Sequence, residues 1–336
     1  MKLGLWGLGF SPVSNSSVLP FPHRLEKKWM EYGFNRGGGD QDCEAVPISL
    51  PLNPNEVLKN AAVSSHAVFA LTSSGRILAW GCAQQGRLGG DNLTCMEEER
   101  PDSSIIEGLG FVLQVASASE HSLALNSEGA VFSWGSSVAG RLGVGTERSS
   151  SLPFRAGHIP FTRVPERINS LPRIVGLACA DLHCLALSSD GEVYVWGSAS
   201  MGRLGIGSDV HSLQHAEASQ PLRVKRLMGL YITQVACAKA NSGALCSTGQ
   251  IFTWGAACYG LASSPANSSS QDEPALLLCT PNGHRFARIA MGKFHALAMS
   301  VTFSLLSLFV SLCLSLSLSN ATFMLRLAWP LCFAQP

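Results

Sequence analysis

An all-β fold assembled from repeated sheets, radial or stacked, is predicted for this chain by three observations. Trp80-Gly81, Trp134-Gly135, Trp196-Gly197 and Trp254-Gly255 recur 54, 62 and 58 residues apart. Each pair closes the same short hairpin phrase. Three of the four are followed by Gly-Arg-Leu-Gly, at 86–89, 140–143 and 202–205. A self-similar unit longer than about 40 residues, written in strands and turns, marks such an architecture. One unit cannot bury its own apolar face and must pack against a neighbouring copy.

The units read Ala61–Trp80 (AAVSSHAVFALTSSGRILAW), Val115–Trp134 (VASASEHSLALNSEGAVFSW), Leu177–Trp196 (LACADLHCLALSSDGEVYVW) and Val235–Trp254 (VACAKANSGALCSTGQIFTW). A fifth, Ile289–Ser300 (IAMGKFHALAMS), starts the phrase and loses it. Small residues at 116–118, 178–180 and 236–238 suit a strand running against other backbone in a crowded centre. Apolar pieces such as Ser122–Leu125 and Val131–Trp134 are strand-length. Between them lie Ser73-Ser74-Gly75, Ser127-Glu128-Gly129, Ser189-Asp190-Gly191 and Ser247-Thr248-Gly249, whose glycine can take positive φ in a tight turn. That predicts a β-hairpin in every unit. The tryptophan at the hairpin's end is a large apolar body, predicted to wedge between adjacent units. The Gly-Arg-Leu-Gly phrases are repeated turn geometry. As phosphate loops they lack a following Lys-Ser/Thr and a helix-forming run.

This pattern, Val-Ala-Cys/Ser-x-x-x-His-x-Leu-Ala-Leu, then Ser-x-Gly, then Trp-Gly and Gly-x-Leu-Gly, resembles the regulator of chromosome condensation (RCC) repeat over about residues 61–300. The resemblance implies a β-propeller of four-stranded blades, seven in the full family. With four to five recognisable units over 59–300, an incomplete, truncated ring is expected here. Residues 1–10, with Leu-Gly-Leu-Trp-Gly at 3–7, resemble the end of a further blade. Residues 11–58 lack a period and contain Gly37-Gly38-Gly39, which predicts an irregular insertion.

The family is functionally mixed, so fold alone does not settle function. The resemblance implies a protein-protein interaction or regulatory module, or alternatively a guanine-nucleotide exchange factor for a small GTPase. In the exchange-factor branch, the turn ahead of the motif histidine faces the GTPase and carries an acidic residue just before that histidine. Carried onto this chain, Glu120-His121 keeps both members, and Asp181 lies one place displaced before His183. Glu120, His121, Asp181 and His183 are therefore the candidate partner-binding residues. The histidines also admit a repeat-forming role, hydrogen-bonded to neighbouring backbone. The β-wedge that this branch uses would fall in Thr146–Pro172 or Ser208–Arg226, both polar and loop-like.

With 14% charged residues and a formal net charge of +1, the chain offers no electrostatic footprint for nucleic acid. The cluster Arg223–Arg226 reads as a solvated edge. No paired carboxylates, nucleophile elbow or His-x-x-x-His pair suggests an enzyme. Of eleven cysteines, Cys179, Cys184, Cys237 and Cys246 stand where other copies carry Ala, Ser or Leu, which makes them core spacers. There is no Cys-x-x-Cys pair and no His/Cys cluster at zinc spacing, so neither a metal nor a cofactor is expected. An odd cysteine count favours a reducing compartment, cytoplasmic or nuclear. The basic start, with Lys2, Arg24, Lys27 and Lys28, keeps a mitochondrial alternative open.

Residues 301–336 break the pattern mid-hairpin, with VTFSLLSLFVSLCLSLSLS at 301–319. Nineteen uncharged residues reach the length of a membrane span, which would make the protein a tethered scaffold. Six of the nineteen are serine, which weakens insertion. The preferred reading is translated non-coding sequence outside the fold. An unclosed propeller would expose edge strands and an inter-blade face, and so would dissolve poorly.

Overall fold

The computed structural model describes residues 50–90, 99–145, 160–207, 209, 217–256, 270–278, 285–292 and 295–300. The expectations for 1–49 and 301–336 lie outside these residues.

Each predicted hairpin is present and gains a strand on either side. The first sheet runs β1 (Leu58–Val63), β2 (Ala67–Thr72), β3 (Ile77–Cys82) and β4 (Glu99–Ile106). The second is β5 (Val112–Ser117), β6 (His121–Asn126), β7 (Val131–Ser136) and β8 (Phe161–Arg167). The third is β9 (Ile174–Cys179), β10 (His183–Ser188), β11 (Val193–Ser198) and β12 (Glu217–Arg223). The fourth is β13 (Ile232–Cys237), β14 (Asn241–Cys246), β15 (Ile251–Ala256) and β16 (Ser270–Leu278). A two-stranded hairpin, β17 (Phe286–Gly292) and β18 (His295–Ser300), follows. Every sheet is an antiparallel meander, and the first strands of successive sheets lie against one another. These are propeller blades, with the small-residue strands innermost.

Residues 50–57 belong with the first blade, inside the span predicted as an insertion. Leu50 and Leu52 pack on the cluster of Ala70, Leu78 and Trp80. Glu56 pairs with Arg76 and accepts a hydrogen bond from Ser74.

The outer strands correct the sequence reading. The two stretches set aside as loop-like candidates for a wedge contain β8 and β12. Apart from the buried Ala218, their residues are half-buried or exposed without regular alternation. All four outer strands carry a proline, at Pro101, Pro165, Pro221 and Pro274, and all four pair with shifted register. Proline is confined to edges because it cannot donate to the ladder, and bulged edges resist pairing with other chains.

The core lies between the blades. β6, β10 and β14 are buried along their whole length. Trp134, Trp196 and Trp254 are fully buried. The wedge expectation holds at three seams with one geometry: each indole N–H donates to the carbonyl of the arginine in the preceding blade's Gly-Arg-Leu-Gly. Trp134 reaches Arg87, Trp196 reaches Arg141 and Trp254 reaches Arg203, each at 2.9 Å. This explains the phrase's last glycine. A Cβ on Gly143 would sit 2.8 Å from the Trp196 ring, and one on Gly205 would sit 2.6 Å from Trp254. At the opposite end of the blades, the turn glycines Gly75, Gly129, Gly191 and Gly249 accept backbone bonds from Val112, Ile174, Ile232 and Phe286 of the next blade. Gln114 and Gln234 add side-chain clamps, each bonding the N–H and C=O of one residue in the next inner strand.

Candidate partner-binding face

In the four four-stranded blades the inner strand turns into the second strand through three residues: 64–66, 118–120, 180–182 and 238–240. The turns close through Ser64 N to Ala67 O, Ala118 N to His121 O, Ala180 N to His183 O and Ala238 N to Asn241 O, at 2.8–2.9 Å. The Trp-Gly phrase then fixes where each turn sits. The residue after its glycine donates to the turn's last carbonyl, as in Ser136 N to Glu120 O at 2.9 Å and Ser198 N to Leu182 O at 2.8 Å. Gly135 has φ +100°, and a Cβ there would lie 2.5 Å from the Glu120 carbonyl oxygen. A side chain at that position would displace the turn.

Successive turns are tied together. The Ser119 hydroxyl and N–H both donate to Asp181 Oδ1, at 2.7 and 3.3 Å. The Ser119 carbonyl lies 3.3 Å from His66 Nδ1. Arg87 donates from Nε and a terminal nitrogen to Glu120 Oε2, at 3.1 and 2.6 Å. In the fourth blade the turn carbonyl of Lys239 accepts from Arg203 at 3.4 Å. The result is one row of turns, carrying two partly exposed carboxylates over buried guanidinium groups. Arg87, Arg141 and Arg203 are each about 5% exposed. Burial pulls Arg141 and Arg203 below the ordinary guanidinium value, with acidic neighbours opposing it.

The structure separates the four candidate residues into two layers. Glu120 and Asp181 lie in the turns and keep partial exposure. His121 and His183 are buried beneath them, at 1% and 0%. Neither ring bonds neighbouring backbone through Nε2. His183 Nε2 meets the Ser242 hydroxyl of the next blade at 2.8 Å, and that hydroxyl donates to Arg203 O at 2.8 Å. His121 Nε2 meets Cys184 Sγ at 3.0 Å and Cys179 Sγ at 3.3 Å, both on the next blade. Their Nδ1 atoms have no partner among the described residues. Both rings are held neutral. Burial, then Arg141 and His183, push His121 well below the usual imidazole value, while burial and then Arg203 push His183 down to about 3.

Sequence reasoning missed Arg87, Arg141, Arg203 and Ser119. The arginines had a visible signal, since the same residue type recurs in three copies of one turn. It also missed the meeting of His121 with Cys179 and Cys184, residues 58 and 63 positions away along the chain.

A four-stranded meander repeated around inner strands, with a Trp-to-Arg-carbonyl bond at three seams, defines a β-propeller of the RCC type. The family described as "Regulator of chromosome condensation (RCC1) repeat" matches at residues 74–125, 128–187 and 190–245, half of the chain. A second model of the same repeat matches at 174–203. The chain belongs to this family. Among curated relatives it is similar to human "E3 ubiquitin-protein ligase HERC2", 34% identical over 278 residues, covering 79% of this chain and 5% of the relative. It is also 33% identical over 248 residues to human "Probable E3 ubiquitin-protein ligase HERC6", covering 73% of this chain and 22% of that protein. The chain thus spans a small part of the relatives' length. Solved structures with the same fold include human WBSCR16, with TM-score 0.64 and 21% identity, covering 80% of this chain and 66% of that one. Prp20p from Saccharomyces cerevisiae has TM-score 0.62 and 23% identity, covering 77% and 59%. Among the described residues, no helix is long and apolar enough to cross a membrane.

Proposed function

We propose that the row of turns bearing Glu120 and Asp181 is a protein-binding face, and that the chain works as an interaction module. One observation carries the reading: each carboxylate is oriented by a neighbouring element, Glu120 by Arg87 and Asp181 by Ser119, while retaining exposure. A pre-oriented acidic group loses little side-chain entropy on binding and pairs best with a partner's arginine or lysine. In this reading His121 and His183 are positioning residues that hold the turns from below. The ligase activity named in the HERC relatives is not needed for it.

The partner class we favour is a small GTPase. The structure of Prp20p was reported with its binding to Gsp1p and histones, and the resemblance to the exchange-factor branch carries its acidic turn onto Glu120-His121. The test is release of labelled GDP from a panel of small GTPases, Gsp1p included, together with direct binding. Glu120→Gln and Asp181→Asn keep hydrogen-bond acceptors and are expected to preserve the fold while weakening binding at least tenfold when combined. Acceleration of GDP release that is lost in the double variant supports exchange. Binding without acceleration leaves the interaction module and removes exchange. Unchanged binding by the double variant rejects the face.

A further inference from the structure

The seam between the second and third blades holds a group of side chains that the repeat does not require. His121 Nε2, Cys179 Sγ and Cys184 Sγ form a triangle with edges of 3.0, 3.3 and 3.9 Å. All three ligand atoms lie within 4.8 Å of one another, and all three residues are buried. Cys179 and Cys184 face each other as cross-strand partners at the top of the β9–β10 hairpin, which fixes their spacing. His121 arrives from the second blade, so the triangle bridges two blades.

The neighbouring seams show what ordinary packing looks like at these positions. Between the third and fourth blades the same slots hold His183, Ser242 and Cys237, and the ring nitrogen meets the Ser242 hydroxyl at 2.8 Å. In the second blade the cross-strand pair is Ser117 and Ser122, bonded to each other at 3.0 Å. A hydroxyl therefore suffices for the repeat. The Cys184 thiol also donates to the Arg141 carbonyl at 3.6 Å, as the Ser242 hydroxyl donates to Arg203, so the element added at this seam is the second sulfur, Cys179, 3.3 Å from the same ring nitrogen. Three donor atoms gathered at one point, two of them sulfur, are the arrangement of ligands around an ion.

We propose that His121, Cys179 and Cys184 bind a thiophilic metal ion, Zn2+ or Cu+, that staples the second blade to the third. With metal–sulfur and metal–nitrogen bonds of about 2.3 and 2.0–2.1 Å, tetrahedral zinc would set ligand separations of about 3.5–3.8 Å. The observed edges reach those values by movements of about half an ångström or less. Two thiolates and an imidazole are the soft donor set that selects zinc and copper(I) over magnesium or calcium. On binding, each thiol releases its proton to solvent and each sulfur donates a lone pair to the ion, with no change of oxidation state. The Arg141 guanidinium lies close enough to feel both sulfurs, and offsets part of the negative charge that two thiolates bring.

The experiment loads the full chain, kept reduced and anaerobic, with Zn2+ or with Cu+ in separate arms. Bound metal is counted after buffer exchange. Co2+ serves as a spectroscopic probe through its sulfur charge-transfer and ligand-field bands. Wild type is expected to hold one equivalent with two-sulfur cobalt bands, and to melt at a higher temperature when loaded. Cys179→Ser/Cys184→Ser, which reproduces the serine pair of the second blade, is expected to fold, to lose the bands and to lose that equivalent. Cys237→Ser is expected to retain both. No uptake by wild type of either metal, or the same uptake in the double serine variant, overturns the proposal. So does a mass loss of two hydrogens at Cys179 and Cys184 under mild oxidation with no metal retained, which would show a disulfide pair instead.

Discussion

The seam between the second and third blades and the seam between the third and fourth follow one plan and diverge in chemistry. Both bury a tryptophan that donates to an arginine carbonyl at 2.9 Å. Both place a neutral, buried histidine against the hairpin of the next blade. In one seam that hairpin answers with two thiols, and in the other with a hydroxyl opposite Cys237. The difference teaches that the repeat specifies geometry through Trp, Gly and backbone, and leaves the atoms facing the histidine free to vary.

The largest expected effect is common to both seams. Gly143→Ala and Gly205→Ala each force a methyl into a tryptophan ring, at positions with φ +72° and +66°. Each should cost about 2–4 kcal/mol of stability, read by chemical denaturation. If only one of the two destabilises, the shared plan fails. Next come the groups facing the histidines. Ser242→Ala strands His183 Nε2 in a buried site and should cost about 1–3 kcal/mol. Cys184→Ser, which supplies a hydroxyl in the other seam, should cost under about 1 kcal/mol in metal-free protein. Equal losses would mean that sulfur and oxygen are not interchangeable there.

The smallest effect lies away from both seams. The Arg76 guanidinium, with hydrogen bonds from Ser74 and Thr72 helping and burial opposing, holds the Glu56 carboxyl well below the usual carboxylate range. The folded state therefore binds this proton less readily than the unfolded state. The resulting stability is present above the unfolded carboxylate value and is lost as pH falls below it. Glu56→Gln should flatten that part of the acid-denaturation curve and leave the seams untouched. A curve of unchanged slope would contradict the pairing.

The inner hairpins were legible because their signals are local. Ser-x-Gly between two apolar pieces specifies a turn within a short stretch of chain, and the tryptophan marks its end. The outer strands were illegible for physical reasons. β8 and β12 bury little, carry Pro165 and Pro221, and pair with irregular register, so neither alternation nor strand propensity accumulates. At the proposed face, the resemblance singled out Glu120 and Asp181. Their orientation was not legible, because Arg87 lies 33 residues from Glu120, and Ser119 lies 62 from Asp181. The cysteines show the limit most clearly. Their burial as core spacers was readable from the repeat, but a cluster with His121 exists only once two blades are packed.

The proposed face and the seams make separable demands. Glu120 and Asp181 lie in turns whose height is set by Trp-Gly backbone bonds, so Glu120→Gln and Asp181→Asn, which keep an acceptor for Arg87 and Ser119, should alter binding far more than melting. Substitutions in the seams should do the reverse.

The claim that the two seams share a geometry and differ in donor atoms is tested most directly by Ser242→Cys. This one change places a second sulfur beside Cys237 and His183, in the arrangement that Cys179, Cys184 and His121 already have. Counting zinc in anaerobically loaded protein should give one equivalent for wild type and two for Ser242→Cys, with the second lost again when His183→Asn is added. Equal counts in wild type and Ser242→Cys would contradict the account.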